Sequence, residues 1–485
     1  MLNSDVLLQI FNHYRLQHED NWNLQLTWLK LGQVCRKWRH LIYDSSSYLD
    51  MHLLLTNDSP SIDTLSHLPL LPLVIDYSDR TGNMARKDED NIGLGLQQHG
   101  YVLRVAIRAP SSSLNTLLKW MNKPFPRLEN LSLLPTTNEE TTLTLPESLQ
   151  TPQLHHLTLH GIGLPTRLPL LSSANALSTL SLTNIGATSY FPPGHLVTQL
   201  RGLSHLEELS IGFAIPIPVP STEGELLLAP LSPVTLPSLR RLTFHGVDVY
   251  LDNLIAQINT PGLEQLSLTF FFDIAFTLVN LNEFIRITEG LECLVAKVVF
   301  NKKGASMYVG CYKQQGIGDL SLHVNCERLD WKIDSITQVC SALAEVVSTI
   351  VELTLDLDVD GMPSDWENTL DSMLWHELLL PFIRVKKLHI GPLLTLELSQ
   401  ALHSVPAELD LELLPELQEL EMQPWIYHAK DAISGFVQTR ESMGRPVLVA
   451  FLASPIPHKE PKLPRGDPHP STVKQVLTDY HQYVV

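Results

Sequence analysis

Cysteine is scarce in this chain of 485 residues, and the few cysteines present show no paired spacing in the sequence. They stand at positions 35, 293, 311, 326 and 340, with no Cys-x-x-Cys spacing among them. Disulfide frameworks and zinc sites need cysteines in even numbers or at short spacings, so we expect reduced thiols and no metal site. Reduced thiols are typical of the cytoplasm and the nucleus, and the sequence favours one or both locations.

Positive charge is also scarce: 34 Lys and Arg residues stand against 52 Asp and Glu residues, giving a formal net charge of -18. General nucleic-acid binding needs a basic face, so this balance predicts no nucleic acid partner. No apolar run reaches the roughly 18 residues that a membrane span requires, and the N-terminus lacks a basic region followed by an apolar core. We therefore expect no membrane span and no secretion signal.

Catalytic motifs are missing as well. His376-Glu377 is followed by leucines rather than by a second histidine at metal-binding spacing. Neither a Gly-x-Ser-x-Gly turn nor a phosphate-binding Walker loop is present. The adjacent His155 and His156 fall on a predicted strand, where neighbouring side chains point to opposite faces. We expect no enzyme activity, no catalytic residue and no cofactor.

What the chain does contain is a recurring pattern: a leucine, two other residues, a leucine, one other residue, and a third apolar residue. Six clear copies begin at Leu128, Leu154, Leu177, Leu206, Leu239 and Leu263. Their central leucines are 26, 23, 29, 33 and 24 residues apart. Weaker copies lie at 102–107, 291–296, 317–322, 350–355, 383–390 and 417–422. Leucine-rich repeats have this strand signature and run about 20–29 residues.

The pattern predicts the fold class, because the Leu-x-Leu segment alternates with the period of a β-strand. One such strand cannot bury its apolar side alone, whereas stacked copies form a parallel sheet. We predict an α/β protein in which an all-helical N-terminal module precedes an irregular leucine-rich-repeat solenoid, with helices and loops outside the sheet. The alternative is an unrelated α/β domain with alternating strands.

Several connectors have helical spacing of apolar residues and predict helices at 114–121, 251–258, 281–287, 336–347 and 370–379. The charged segment 80–91 reads as a loop, and Gly93-Leu-Gly95 as a turn. The predicted divisions are a helical module at 1–45, a transition at 46–99, the repeats at 100–425, a terminal cap at 426–452 and a proline-rich tail at 453–485.

The first 45 residues lack the repeat pattern and read as helices. Val6, Leu7, Ile10 and Phe11 follow helical spacing after a capping Asn3 or Ser4. A second helical run is predicted from Leu26 to Leu41, with Leu31, Val34, Trp38, Leu41 and Ile42 on one face.

These two segments resemble the F-box. Leu2-Asn-Ser-Asp-Val-Leu-Leu-Gln-Ile-Phe11 is similar to its opening, and Trp28-Leu-Lys-Leu-Gly-Gln-Val-Cys-Arg-Lys-Trp-Arg39 to its closing segment. Asn3 stands where the family usually has proline, and the insert between the halves is longer. The layout as a whole resembles the fungal F-box proteins with irregular leucine-rich repeats.

The resemblance implies that the helices dock on a Skp-type adaptor, and through it on a cullin. The adaptor-binding residues it implies are Leu2, Val6, Leu7, Ile10, Phe11, Leu31, Val34, Cys35, Trp38 and Leu41. It further implies a substrate-recognition subunit of an SCF-type ubiquitin ligase whose repeats hold a target protein. The alternative is a leucine-rich-repeat interaction scaffold whose helices only cap the array.

The residue between the two strand leucines is the candidate for target binding, because alternation places it opposite them. The predicted concave face consists of Ser132, Thr158, Ser181, Ser210, Thr243, Ser267, Ser321, Thr354, Asp356, Asp358, His389 and Glu421. Residues 345–421 hold sixteen acidic residues and three basic ones, which favours a basic target. An acidic surface that only aids solubility is the alternative.

Overall fold

The protein's structure is a computed structural model. It describes residues 3–16, 27–45, 53–56, 71–79, 83–136, 143–165, 169–216, 233–271, 279–288, 291, 293–301, 303–310, 320–326, 329–358, 372–403, 413–422 and 427–451. Leu2 and the tail 453–485 lie outside the described residues, so the predictions made for them stay predictions.

The described part of the chain contains twenty strands. They are β1 (Leu53–Leu55), β2 (Leu73–Ser78), β3 (Val102–Ala109), β4 (Asn130–Pro135), β5 (Leu143–Thr144), β6 (His156–His160), β7 (Ile162–Gly163), β8 (Thr179–Ile185), β9 (Glu208–Phe213), β10 (Val234–Thr235), β11 (Arg241–Gly246), β12 (Ile258–Asn259), β13 (Gln265–Phe270), β14 (Val295–Asn301), β15 (Gly304–Gly310), β16 (Leu320–Asn325), β17 (Glu352–Leu357), β18 (Lys387–Ile390), β19 (Glu419–Met422) and β20 (Leu448–Phe451).

Fourteen α-helices lie in the same described part. They are α1 (Ser4–Leu16), α2 (Thr27–Val34), α3 (Arg36–Asp44), α4 (Arg86–Gln97), α5 (Ser111–Trp120), α6 (Pro169–Ser173), α7 (Pro193–Leu200), α8 (Asp248–Ile255), α9 (Val279–Ile287), α10 (Leu329–Ala342), α11 (Ala344–Val347), α12 (Ser372–Leu379), α13 (Thr395–His403) and α14 (Tyr427–Ser442). The molecule is therefore mixed α/β, as the sequence predicts at that level.

Sixteen strands form one large sheet in the order β1-β2-β3-β4-β6-β8-β9-β11-β13-β16-β15-β14-β17-β18-β19-β20. Every neighbouring pair is parallel except the two pairs that β15 makes. The remaining strands form two short pairs, β5 with β7 and β10 with β12, outside this sheet. The sheet is mostly parallel because each strand is followed by a connector that returns the chain to the same end.

The recurring leucines line one face of this sheet. All twelve first and central leucines of the six clear copies are buried, from Leu128 and Leu131 to Leu263 and Leu266. The central leucines also pair in register, as Leu131 does with Leu157 and Leu157 with Leu180. The buried side chains of the helices join them in one continuous hydrophobic cluster. The interior position predicted for these leucines is confirmed.

Strand β15 is a departure from the repeat pattern. The chain passes from α9 to β14, turns back as β15, and then returns as β16 beside β13. An antiparallel hairpin is thereby inserted between two parallel blocks of the sheet. The sequence analysis missed β15, because Gly304–Gly310 has no leucine pair. Its core face is instead filled by Ala305, Met307 and Val309.

The predicted connector helices are confirmed, with bounds that shift by about a turn at most except at 336–347. That segment divides into the end of α10 and the short α11. Helix α7 was not predicted from the sequence, because it begins with Pro193. Proline is well tolerated in the first turn of a helix, where backbone N–H groups have no helical partners.

The predicted loop is wrong from Arg86 onward, and the predicted turn at Gly93-Leu-Gly95 is wrong, whereas residues 80–82 lie outside the described residues. Helix α4 spans Arg86–Gln97 and buries Ile92 and Leu96. Gly95 serves packing rather than turning, because a Cβ at this position would lie 2.7 Å from the Leu55 side chain.

The predicted continuous helix from Leu26 to Leu41 is also wrong. It is divided at Cys35, whose backbone is extended and whose Sγ accepts a hydrogen bond from the Trp38 backbone N–H at 3.4 Å. The thiol thus caps α3, which is why the two short helices do not merge. Arg39 Nε donates to the Gly32 carbonyl oxygen at 2.9 Å and ties α3 to α2.

The two faces of the sheet should respond differently to truncation. We predict that Leu180→Ala lowers the free energy of unfolding by about 2–5 kcal/mol, because it opens a cavity in the core. Ser181→Ala, at the next residue and on the opposite face, should change the free energy of unfolding by about 0.5 kcal/mol or less. Urea unfolding of both variants measures the difference. Equal losses would contradict the facing of β8.

The hairpin should tolerate no side chain at Gly304. A Cβ there would overlap the Val324 carbonyl oxygen on β16, which is backbone and has little freedom to move. We expect Gly304→Ala to cost about 1–3 kcal/mol through this overpacking. Gly202→Ala is the matched control, since no atom lies within 4 Å of a Cβ built there. Thermal unfolding of the two variants provides the comparison, and equal midpoints would argue against the observed register of β15 and β16.

Candidate partner-binding surfaces

The face of the sheet opposite the leucines, which we call the open face, carries one continuous row of residues. All ten predicted mid-strand positions fall on it, in cross-strand register. The row reads Ser132, Thr158, Ser181, Ser210, Thr243, Ser267, Ser321, Tyr308, Lys297, Thr354, His389 and Glu421. Their alignment follows from the pairing of the leucines beside them, because a parallel register fixes both faces together.

Tyr308 and Lys297 are the members of this row that the sequence analysis missed. Both belong to the inserted hairpin, where no leucine pair marks the strand. The alternation of Val295–Asn301 was the signal available, since buried Ala296 and Val298 flank the exposed Lys297.

Serine and threonine hydroxyls fill the first seven of the twelve positions in the row. Ser321 Oγ donates to Ser267 Oγ at 2.9 Å, so adjacent strands share hydrogen bonds on the open face. A second row runs beside the first, where His160 Nδ1 lies 3.0 Å from Thr183 Oγ1. Hydroxyls and imidazoles both donate and accept hydrogen bonds, so this part of the face offers uncharged polar contacts.

A hydroxyl–imidazole–amide chain lies on the hairpin. Ser306 Oγ is 2.7 Å from His323 Nδ1, and His323 Nε2 is 3.0 Å from Asn325 Oδ1. The Asn325 oxygen accepts from the Nε2–H tautomer, which leaves Nδ1 to accept the serine proton. Ser306 is only 3% exposed, so its hydroxyl is shielded, whereas a nucleophile must reach its substrate. These hydrogen bonds satisfy the polar groups of Ser306, His323 and Asn325 between β15 and β16.

The histidines of the second row are shielded from water. Burial lowers the pKa of His160, and burial followed by the repulsion of His323 lowers the pKa of His245. Burial and the positive charge of Lys303 lower the pKa of His323, whereas its hydrogen bond to the Asn325 oxygen raises that pKa. Desolvation disfavours the charged imidazolium, so these side chains are held in their neutral form.

Ion pairs occupy much of the carboxyl-terminal third of the open face. Lys297 Nζ lies 3.2 Å from Asp356 Oδ2, and Lys387 Nζ lies 2.7 Å from Glu421 Oε1. The hydrogen bond from Lys387 lowers the pKa of Glu421, and the same bond raises the pKa of Lys387. His389 Nδ1 is 3.5 Å from Glu421 Oε2. The acidic patch predicted here is thus partly neutralised by lysines that cross-strand pairing brings beside it.

Asp358 follows β17 and is exposed, with its backbone N–H donating to Phe300 O at 2.8 Å. Glu352 lies on the open face at the start of β17, between Val295 on β14 and Lys387 on β18. It forms no ion pair with the other described residues.

The N-terminal helices divide their apolar residues between an interior and a surface. Leu7, only 4% exposed, and Phe11 are buried, and the Phe11 ring meets Trp38 edge-on with centroids 4.9 Å apart. Ile10 is 47% exposed and Val34 is 61% exposed. Leu7 and Phe11, which the resemblance implies as adaptor-binding residues, are thus part of the hydrophobic cluster rather than of an exposed surface.

The other predicted adaptor-binding residues fall between these extremes. Val6 is exposed beside Ile10, and Cys35 is exposed at the break between α2 and α3. Leu31, Trp38 and Leu41 are half-buried and pack against the hydrophobic cluster. The exposed apolar set on these helices is therefore Val6, Ile10 and Val34, which we call the helical patch.

The described residues contain neither a group of metal-binding side chains nor a membrane-spanning helix. No three His, Cys, Asp or Glu side chains in the described ranges meet in a way that suits a metal ion. No helix in the described part of the chain combines the length and apolarity needed to cross a membrane.

Comparison with known proteins does not assign this chain to a family. A scan against models of protein families found no match, and a search of curated proteins found no similar sequence.

The shielded histidines make stability depend on pH. Because the pKa of His323 is lowered on folding, the unfolded chain binds a proton below pH 6.5 that the folded chain does not. We predict that stability is full above pH 6.5 and falls as the pH drops below it. His323→Gln should reduce the loss measured between pH 8 and pH 5. Urea midpoints at both pH values test this, and an undiminished loss in the variant would show that His323 does not contribute.

Proposed function

We propose that this protein is the substrate-recognition subunit of an SCF-type cullin–RING ubiquitin ligase. In this proposal α1, α2 and α3 are an F-box-like module that docks on a Skp-type adaptor, and the strands from β3 onward are an irregular leucine-rich-repeat solenoid. The chain carries out no chemistry of its own. It holds a target protein near the ligase machinery, which raises the effective concentration of the target at the site of ubiquitin transfer.

The observation that carries the proposal is the helical patch together with the string of residues in which it lies. Val34-Cys35-Arg-Lys-Trp38-Arg39 resembles the closing segment of the F-box, and Val6 to Phe11 its opening. Phe11 and Trp38 pack on each other, while Val6, Ile10 and Val34 remain exposed. Exposed apolar residues grouped on short helices are typical of a protein–protein contact, because water contact leaves them unfavourably hydrated.

The open face supports the second half of the proposal. It offers hydroxyls, neutral imidazoles and a charged region along one sheet, and these groups suit a protein target with polar and basic segments. The hydroxyl row also permits close approach, since small side chains leave the sheet accessible. Cytoplasmic or nuclear location, where ubiquitin ligases act, is part of the same proposal.

Adaptor binding tests the helical patch. We predict that Ile10→Glu combined with Val34→Glu weakens binding to a Skp-type adaptor by about 2 kcal/mol or more, roughly 30-fold, because buried apolar contacts would be replaced by charge. The thermal midpoint should change little, since both residues are exposed. Calorimetric titration of the adaptor into each variant gives the affinity.

The matched control introduces the same charges at exposed neighbours on the same helices, as Gln9→Glu with Gln33→Glu, and should leave binding unchanged. Leu7→Ala serves as a second reference, because it should lower stability by about 2–5 kcal/mol. If the chain binds no adaptor, an interaction scaffold without a ligase link becomes the better account. If the Ile10/Val34 variant binds the adaptor as well as the unaltered chain does, the helical patch is not the docking surface.

A further inference from the structure

The inserted hairpin changes the chemistry of the open face at one place. Val295 and Val299 on β14 are half-buried, and Tyr308 on β15 is 42% exposed, all on the open face. Lys297 pairs in register with Tyr308 and lies between the two valines along β14. We call Val295, Val299 and Tyr308 the hairpin patch. It places apolar side chains around Lys297, beside the long hydroxyl row, because β15 is inserted between β16 and β14.

Carboxylates stand on one side of the hairpin patch. Strand β17 pairs with β14, so Glu352 lies opposite Val295 and Asp356 opposite Val299. Asp356 is already engaged by Lys297. Glu352 lies opposite Lys387 and helps to raise the pKa of that lysine, whose direct contacts are with Glu421 and Glu419. Four carboxylates thus face two lysines, with His389 3.5 Å from Glu421, so the lysines do not balance the carboxylates in this region.

On the hydroxyl side the surroundings are different. The neighbours of Tyr308 there are Ser321 in its own row and the Ser306–His323 pair beside it. These groups are uncharged, since burial keeps His323 neutral. A ligand that places an apolar group on Tyr308 therefore meets uncharged groups on the β16 side, and on the β17 side it meets carboxylates beyond Lys297.

We propose that the hairpin patch is the specificity site of the open face, and that it binds an extended target segment in which an apolar side chain is followed or preceded by Lys or Arg. The apolar side chain packs on Tyr308 and the two valines, and the cation pairs with Glu352. Tyrosine is enriched among residues that dominate binding energy, since its ring offers large contact area and its hydroxyl remains hydrogen-bonded.

The spacing within the segment follows from sheet dimensions. Tyr308 and Glu352 are on β15 and β17, two strands apart, which is about 10 Å at the usual separation of strands. Glu352 is also displaced by two residues along the strands, because it lies opposite Val295 whereas Tyr308 lies opposite Lys297. The two residues are therefore about 12 Å apart. An extended peptide advances about 3.3 Å per residue and points alternate side chains to the same side. The apolar and cationic residues should therefore be about four positions apart.

This inference rests on the part of the proposed function that assigns the open face to a target, and it does not require adaptor docking. The probe is a library of random 12-residue peptides, selected on the full-length chain. We expect enrichment of an apolar residue with Lys or Arg about four positions away. The affinity of a selected, fluorescein-labelled peptide should fall about 10- to 30-fold in Tyr308→Ala. In Glu352→Gln it should fall by a smaller factor that vanishes near 1 M salt, where screening is strong.

Controls lie on the helical side of the molecule. Ile383→Ala removes an exposed apolar residue and Glu377→Gln an exposed carboxylate, both off the open face, and neither should alter peptide affinity. Thermal unfolding of each variant checks that the fold is retained. Replacing the selected apolar residue by Ser, or the cation by Glu, should reproduce the loss from the peptide side.

Three outcomes would overturn the inference. Selected peptides could lack the apolar–cationic pair, or they could bind Tyr308→Ala as tightly as the unaltered chain. Alternatively, light scattering could show a dimer that Tyr308→Ala dissociates, which would make a second copy the occupant. A chain that selects the motif but binds no Skp-type adaptor would support the hairpin patch and refute the ligase link, so the two proposals fail separately.

Discussion

Burial of a pair of leucines from each repeated strand beneath the sheet is the interaction on which the rest of this structure depends. Each fully buried leucine side chain contributes about 1.5–3 kcal/mol relative to an exposed one. Leu131, Leu157, Leu180 and their counterparts join the helix side chains in a single cluster. A strand that slipped by one residue would turn its leucines outward and its serine or threonine inward, so the register is strongly held.

That register has a consequence on the other face. Because the leucines of neighbouring strands are aligned, the residues between them are aligned too, from Ser132 to Glu421. The open face is thus an indirect product of core packing, and its chemistry is free to vary without cost to the core. Hydroxyls occupy it where the repeats are regular, and an aromatic ring and ion pairs occupy it from the hairpin onward.

The ion pairs show how pairing of strands modifies what composition implies. Residues 345–421 are strongly acidic, yet Lys297 comes to Asp356 from a strand about sixty positions earlier in the chain. Lys387 likewise sits between Glu419 and Glu421 on the next strand. Exposed pairs of this kind contribute little to stability, but they set the local field that a partner meets. Glu352 lies opposite Lys387 and adds to the field around that lysine, although the direct contacts of Lys387 are with Glu421 and Glu419.

The sequence by itself determined the leucine facing, most of the strands, the connector helices and the row of small residues, because period-two alternation is a local property. Only the tertiary structure decided the rest. Hairpin strand β15 has no leucine pair, so Tyr308 and Lys297 join the row only through pairing with distant strands. Leu7 and Ile10 have the same helical spacing, yet packing against Phe11 and its neighbours buries one and leaves the other exposed. Contacts between segments far apart in sequence, which no local pattern encodes, fixed both the composition of the open face and the exposure of the helical patch.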